Sequence, residues 1–348
     1  MIEIEKLIRP NILKLQPYSS ARDEYKGTKG IFLDANENPY GKLNRYPDPY
    51  QKKLKQKLSE IKTIPVENIF IGNGSDEVID LAFRIFCNPG TDKALTFSPT
   101  YGMYKVAAAI NDIQLINVPL NDEFQINTNE LKDHFSDKTI KLVFICSPNN
   151  PTGNNIDNIE FIFENFNGIV FVDEAYIDFS NTVSWLEKFF RYPNLIISQT
   201  FSKAWGLAAA RVGVAYASSE IIGWYNKVKP PYNVSALNQN AVLKVINKPE
   251  LFAERKRIIL EERETLKLKL SFFPFIIKIF PSDSNFLLIE CINADVIYYH
   301  LVKEKIIIRN RNTVVKNCIR ITVGTPIENQ KLIRSLKKYN EKSIVHKR

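Results

Sequence analysis

Short apolar runs, hardly interrupted by polar side chains, punctuate the middle of this chain. They predict strands at residues 94–97, 113–118, 141–146, 168–172, 195–198 and 212–217, with a shorter one at Phe70-Ile71. Between them apolar residues recur at helical spacing, over 50–61, over 75–86 and from Pro99 through Ile110. Ser75 reads as the N-cap of its helix, with Asp76 and Glu77 suiting the first turn. Strands without a polar face need cover on both sides, so the pattern predicts an α/β domain on a largely parallel sheet. Residues 241–270 read as one long charged helix, a connector. After it, strands at 276–280, 285–289, 306–309 and 318–323, with helices between and after, predict a smaller α+β unit. Residues 1–40 mix short helical signals with turn residues. The expected organisation is an N-terminal arm (1–40) packing with the small domain, a large α/β domain (41–240), then the connector helix and small C-terminal domain (241–348).

A chain of 348 residues suits two domains. With 45% hydrophobic and 24% charged residues it has the balance of a globular protein, not of a disordered one. No apolar run reaches the length of a membrane span, and residues 1–9 lack a signal-peptide core, so a cytoplasmic protein without a membrane partner is expected. The net charge of +9 is spread along the chain, as in Lys52-Lys53-Leu54-Lys55-Gln56-Lys57. That reads as a solvated surface, and no basic run carries the interleaved aromatics of a nucleic-acid module. Cys87, Cys146, Cys291 and Cys318 have no CxxC spacing and read as buried free thiols. His134, His300 and His346 form no metal-ligand motif, so no metal is expected.

The chemistry collects where predicted strands end, which is where open α/β sheets bind ligands. One strand runs into Ser147-Pro148-Asn149-Asn150-Pro151-Thr152-Gly153. A second ends in Val172-Asp173-Glu174-Ala175-Tyr176. A third stops just before Thr200-Phe201-Ser202-Lys203, and Arg211 follows eight residues after Lys203. Singly, each has a structural explanation: a cap, a turn, a surface lysine, an ion pair. Together they bring a carboxylate, an amide, a phenol, a hydroxyl, an amine and a guanidinium to one edge. The Gly72-Asn73-Gly74 turn lacks the third glycine of a dinucleotide site.

These three segments, in this order and spacing, resemble the fold-type I aminotransferases that depend on pyridoxal phosphate. The segments 33–41 (LDANENPYG), 45–48 (RYPD), 72–77 (GNGSDE) and 99–104 (PTYGMY), with 308–310 (IRN) and 319–325 (IRITVGT), are similar to the histidinol-phosphate aminotransferase branch. The resemblance implies that fold, with a mostly parallel large-domain sheet and a smaller α+β C-terminal domain. It implies that Lys203 holds the cofactor covalently and later moves the substrate proton, that Asp173 faces the ring nitrogen, and that Tyr176 and Asn150 bond the ring oxygen. Tyr101 would stack on the ring. Ser75, Asp76 and Glu77 would offer backbone N–H groups to the phosphate, joined by Ser202 and Arg211. Tyr46 would reach that phosphate from a second copy, which implies a homodimer with shared active sites. Arg309 and Arg320 would bind anionic substrate groups, with Tyr18 and Asn36 on the substrate-side arm.

One departure is Gly206-Leu207-Ala208-Ala209-Ala210-Arg211, with alanine where the family often has glycine. Alanine is tolerated there if φ stays negative. The implied activity is amino transfer between glutamate and imidazole-acetol phosphate, giving histidinol phosphate and 2-oxoglutarate by a ping-pong route. The alternatives are an aromatic amino acid aminotransferase, a phospho-amino-acid decarboxylase of the same fold, or a catalytically silent pyridoxal-phosphate sensor.

Overall fold

A computed structural model describes residues 2–18, 25 and 30–345 of the chain. His346 and residues 19–24 and 26–29 of the expected arm lie outside the described residues. Seven strands form the main sheet: β1 (Ile69–Gly72), β2 (Lys93–Ser98), β3 (Gln114–Pro119), β4 (Ile140–Cys146), β5 (Ile169–Asp173), β6 (Leu195–Thr200) and β7 (Gly213–Ala217). Their order is β1-β7-β6-β5-β4-β2-β3. Only β7 runs antiparallel to its neighbours. From β6 to β3 every pairing is parallel.

The unbroken apolar runs have the expected cause. Every residue of β5 and β6 is buried, because one set of side chains faces each cover layer. Val143, Ile145, Val170, Val172 and Ile197 face one core. Phe144, Phe171 and Ile196 face the other, beneath a helix at Ser75–Phe86.

The helices in chain order are α1 (Pro10–Leu13), α2 (Lys52–Lys62), α3 (Ser75–Phe86), α4 (Met103–Ile110), α5 (Leu131–Ser136), α6 (Ile159–Asn165), α7 (Ser219–Val228), α8 (Ala236–Ile246), α9 (Pro249–Ser271), α10 (Ala294–Lys303) and α11 (Pro326–Val345). The single helix expected over 241–270 is two helices. Pro249 at the first turn of α9 has no N–H with which to continue α8, so the chain restarts there.

A second, wholly antiparallel sheet has the order β10-β11-β9-β8, from β8 (Ile276–Ile279), β9 (Phe286–Cys291), β10 (Arg309–Asn310) and β11 (Cys318–Thr322). Its core joins Leu287, Ile289, Ile319 and Ile321 to Leu266, Ile297 and Leu336 of α9, α10 and α11. β10 begins later than the aliphatic run at 306–308 predicted, because only Arg309 and Asn310 find partners on β11.

The arm was expected to pack with this smaller unit; its start packs on the large sheet. Ile4, Ile8 and Ile12 recur every four residues and join the α3-side core of the large sheet. Arg9 N–H donates to Ile85 O and its guanidinium to Arg84 O. All four cysteines are buried and unpaired.

Candidate active site

Three adjacent parallel strands bring the predicted residues to one edge. Cys146 of β4 sits in register with Asp173 of β5, and Asp173 with Ser198 of β6. The loops that follow carry Asn150, Tyr176 and Lys203. A cavity of about 120 Å³ opens there, lined by Asp173, Tyr176, Asn150, Lys203, Tyr101 and Ser202 among others. Ser75, Asp76 and Arg211 line its other end. Asp173 and Lys203, which the sequence separates by thirty positions, therefore face the same space.

Asp173 is buried to 2% exposure. Its Oδ2 accepts from the Tyr104 hydroxyl at 2.9 Å and its Oδ1 from the Ala175 N–H at 3.1 Å. Burial pushes its carboxyl up to about 6; the Tyr104 and Ala175 hydrogen bonds, then Lys203, oppose this, while Asp76 adds to it. Tyr104 is a residue that motif reading passed over as part of a helix, yet it is fully buried and aimed at this carboxylate. The only outward signal was its place in Pro99-Thr100-Tyr101-Gly102-Met103-Tyr104.

Lys203 is exposed at the cavity mouth, its Nζ 5.5 Å from the Tyr176 ring centre. The walls around it and then Arg320 lower its ammonium from the ordinary value, with Asp173 and Asp76 pulling the other way. An amine so placed is readier to act as nucleophile or base than a surface lysine. Asn150 Nδ2 donates to the Tyr176 hydroxyl at 3.4 Å, and Asn150 Oδ1 accepts from Arg320. Burial raises the Tyr176 hydroxyl, and Arg320 opposes it.

The opposite end is built by glycines. Gly74, not Ser75, is the N-cap of α3, at φ 81°, where a side chain is strained. Ser75 is the first helical residue and lines the cavity. A Cβ on Gly74 would lie 2.7 Å from Arg211 Nη2; one on Gly213 would lie 2.3 Å from Ser75 N. Arg211 itself is left-handed, at φ 51°, and its Nη2 meets Asp76 Oδ2 at 3.1 Å. Tyr101 donates to Asp76 Oδ1 at 3.1 Å. Glu77 turns away, accepting from Asn73 N–H and Asn233 Nδ2. Ala208, Ala209 and Ala210 are absent from the positive-φ residues, so the alanine departure is accommodated.

Other predicted residues lie elsewhere. Tyr46 does not line this cavity; its ring stacks on Tyr232 at 4.4 Å. Tyr46 and Asn36 share a second, open pocket of about 370 Å³ with Ser235. Glu37, which sequence reading did not single out, ties that pocket together by accepting from Tyr46 N–H and from Arg45. Tyr18 is 73% exposed. Arg309 is exposed and pairs in register with Arg320 across β10 and β11. Arg320 is half-buried, 5.0 Å over the Phe286 ring.

Residues 26–336 match the model of the family described as aminotransferase class I and II. The chain is 50% identical to the histidinol-phosphate aminotransferase of Bacteroides fragilis, over 97% of this chain and all of that one. It is 48% identical to that of Cytophaga hutchinsonii, over 97% and 99%. Its fold is shared with the histidinol-phosphate aminotransferase of Sinorhizobium meliloti solved with pyridoxal-5'-phosphate, at TM-score 0.78 and 22% identity, covering 88% of this chain and 90% of that one. The chain belongs to the class I and II aminotransferases and, within them, to the histidinol-phosphate aminotransferases.

Proposed function

We propose that this chain moves an amino group between glutamate and imidazole-acetol phosphate, the histidinol phosphate and 2-oxoglutarate reaction of histidine biosynthesis. Identity near one half with enzymes of that name, across nearly the whole chain, supports the substrate. The observation that carries the reading is the pairing of a buried carboxylate, Asp173, with a lowered-pKa amine, Lys203, in one cavity.

The donor set fits pyridoxal phosphate. Asp173 receives two neutral donors, and a protonated ring nitrogen would complete its neutralisation. Ser75, Ser202, Arg211 and the first N–H groups of α3 suit a phosphate at the far end. When bound, this cofactor supplies an electron sink for negative charge at the substrate α-carbon.

The chain's own groups then divide the work. Lys203 would hold the cofactor through Nζ and would hold or move the proton at the substrate α-carbon. Tyr104 and the Ala175 N–H hold the Asp173 carboxylate where it would meet the ring nitrogen. Asn150 links Tyr176, which would bond the ring oxygen, to Arg320, which would take a substrate anion. Of the first turn of α3, Asp76 and Glu77 contribute backbone N–H groups, since their side chains are engaged elsewhere. Tyr101, which lines the cavity, would cover the ring face. Tyr46, supplied by a second copy, completes the phosphate site of a homodimer, with Tyr18, Asn36 and Arg309 on the substrate side. The reading extends to a cytoplasmic location; no helix among the described residues is long and apolar enough to cross a membrane.

The visible spectrum of the purified protein with pyridoxal phosphate tests this. The wild type is expected to be yellow and to bleach on adding glutamate; Lys203→Ala is expected to lose amino transfer by a factor on the order of 10³. A wild type left colourless by added cofactor would overturn the reading. A coloured protein that never responds to glutamate would be a silent binder, and release of carbon dioxide would mark a decarboxylase. Equal rates with phosphorylated and unphosphorylated donors would exclude histidinol phosphate as the preferred substrate.

A further inference from the structure

Arg309, Arg311 and Arg320 belong to one face of the small sheet. Arg309 stands directly opposite Arg320, and the next pairing joins the Arg311 N–H to Cys318 O at 2.9 Å. Side chains alternate along a strand, and directly opposed residues share a face. Ile319 and Ile321 point to the helix-side core, so Arg320 and Cys318, and with them Arg309 and Arg311, point the other way. Phe286 shows where that face looks: it lies beneath the Arg320 guanidinium and meets the Tyr176 ring edge-on at 5.2 Å.

The alternate residues are held to the helix side. Asn310 Nδ2 donates to Asp295 Oδ1 at 2.6 Å, and Asn312 Nδ2 to Asp295 Oδ2 at 2.8 Å. One carboxylate of α10 thus clamps the two asparagines of Arg309-Asn310-Arg311-Asn312 and turns both arginines toward the cavity side. The Nε atoms of Arg311 and Arg320 are buried without a hydrogen-bond partner among the described residues. Burial, then Arg320 and Arg309, lower Arg311 to about 10, with Tyr176 opposing. Like charges on facing strands destabilise a sheet, and half-buried guanidinium groups with unused donors cost more still. An anion from outside the chain would remove both costs.

We propose that Arg311 is a specificity residue that, beside Arg309 and Arg320, binds the phosphate monoester of the substrate and sets its preference over a carboxylate. The idea rests on the substrate reading above. At neutral pH a phosphate monoester carries nearly two negative charges and three acceptor oxygens, against one charge and two oxygens for a carboxylate. Two guanidinium groups suffice for the second; the third adds most to the first.

The test compares holoenzyme of the wild type, Arg311→Gln and Arg311→Lys in kcat/KM for histidinol phosphate and for glutamate, and in inhibition of the glutamate half-reaction by inorganic phosphate. Arg311→Gln is expected to lower kcat/KM for histidinol phosphate, chiefly through KM, by roughly tenfold or more, and to weaken phosphate inhibition in step. Glutamate should fall much less, and Arg311→Lys should restore part of the difference. Thermal stability of Arg311→Gln should hold or rise, because a like charge is removed; a structural role would lower it. An unchanged ratio between the two substrates together with unchanged phosphate inhibition would overturn the proposal, as would an equal loss with both. A wild type inert toward histidinol phosphate would instead defeat the substrate reading, and phosphate inhibition would still decide whether Arg311 binds the anion.

Discussion

Asp173 shows how a single buried side chain trades stability for function. Its folded value near 6 stands above the unfolded 3.8, so the folded chain binds the proton more tightly. Stability from this group is complete below about pH 4 and lost as pH rises through about 6. In cofactor-free protein, Asp173→Asn is therefore expected to gain on the wild type as pH climbs from 4 to 7, by at most about 3 kcal/mol. Urea denaturation across that range checks it; a difference independent of pH would mean the carboxylate is already neutralised. The same variant should bind pyridoxal phosphate poorly and lose amino transfer, since the ring nitrogen loses its counter-charge. Asp173, Lys203, Asn150, Tyr176 and Arg211 were legible in the sequence because they sit in short motifs at strand ends. Tyr104 and Arg311 were not. A tyrosine on an apolar helix face reads as core, and the facing of Arg311 depends on a register that two asparagines and a distant aspartate establish.

Elements were legible where burial is two-sided. The apolar runs of β4, β5 and β6 admit no other placement, and the predicted strands of the main sheet differ from the observed ones by a residue or two at their ends. Boundaries made by single residues were harder. Ser75 has the chemistry of a cap, but Gly74 takes that position because the chain must turn at positive φ under the Arg211 guanidinium. Pro249 splits a continuous charged pattern, since periodicity does not register a missing N–H. The approach of β7 to the first turn of α3 depends on Gly213, where a Cβ would meet backbone at 2.3 Å. Gly213→Ala is expected to cost about 1–3 kcal/mol of stability by forcing the two elements apart. It should also weaken pyridoxal-phosphate binding at least roughly tenfold, because Ser75 and the helix N–H groups leave their positions. Thermal unfolding and cofactor titration measure the two effects, and a loss of stability without a loss of affinity would mean that α3 moves together with β7.

At the scale of the whole molecule, the arrangement of Tyr46 bears on assembly. Within its own chain Tyr46 belongs to a pocket with Asn36 and Ser235, held by Glu37, and not to the cavity of Lys203. If the homodimer reading holds, that pocket supplies Tyr46 to the phosphate end of the partner's cavity, and Lys203 and Tyr46 of one complete site come from different chains. Two inactive variants then become complementary. Lys203→Ala and Tyr46→Ala, each nearly inactive alone, should regain activity when co-expressed or refolded together. Random pairing makes half of the dimers hybrid, and each hybrid carries one intact site, so recovery should approach about a quarter of wild-type activity. A mixture no more active than its components would place both residues in one chain's site. It would also require Tyr46 to leave Tyr232 and swing into the cavity of its own subunit, a movement that an unbroken Tyr46–Tyr232 stack does not permit.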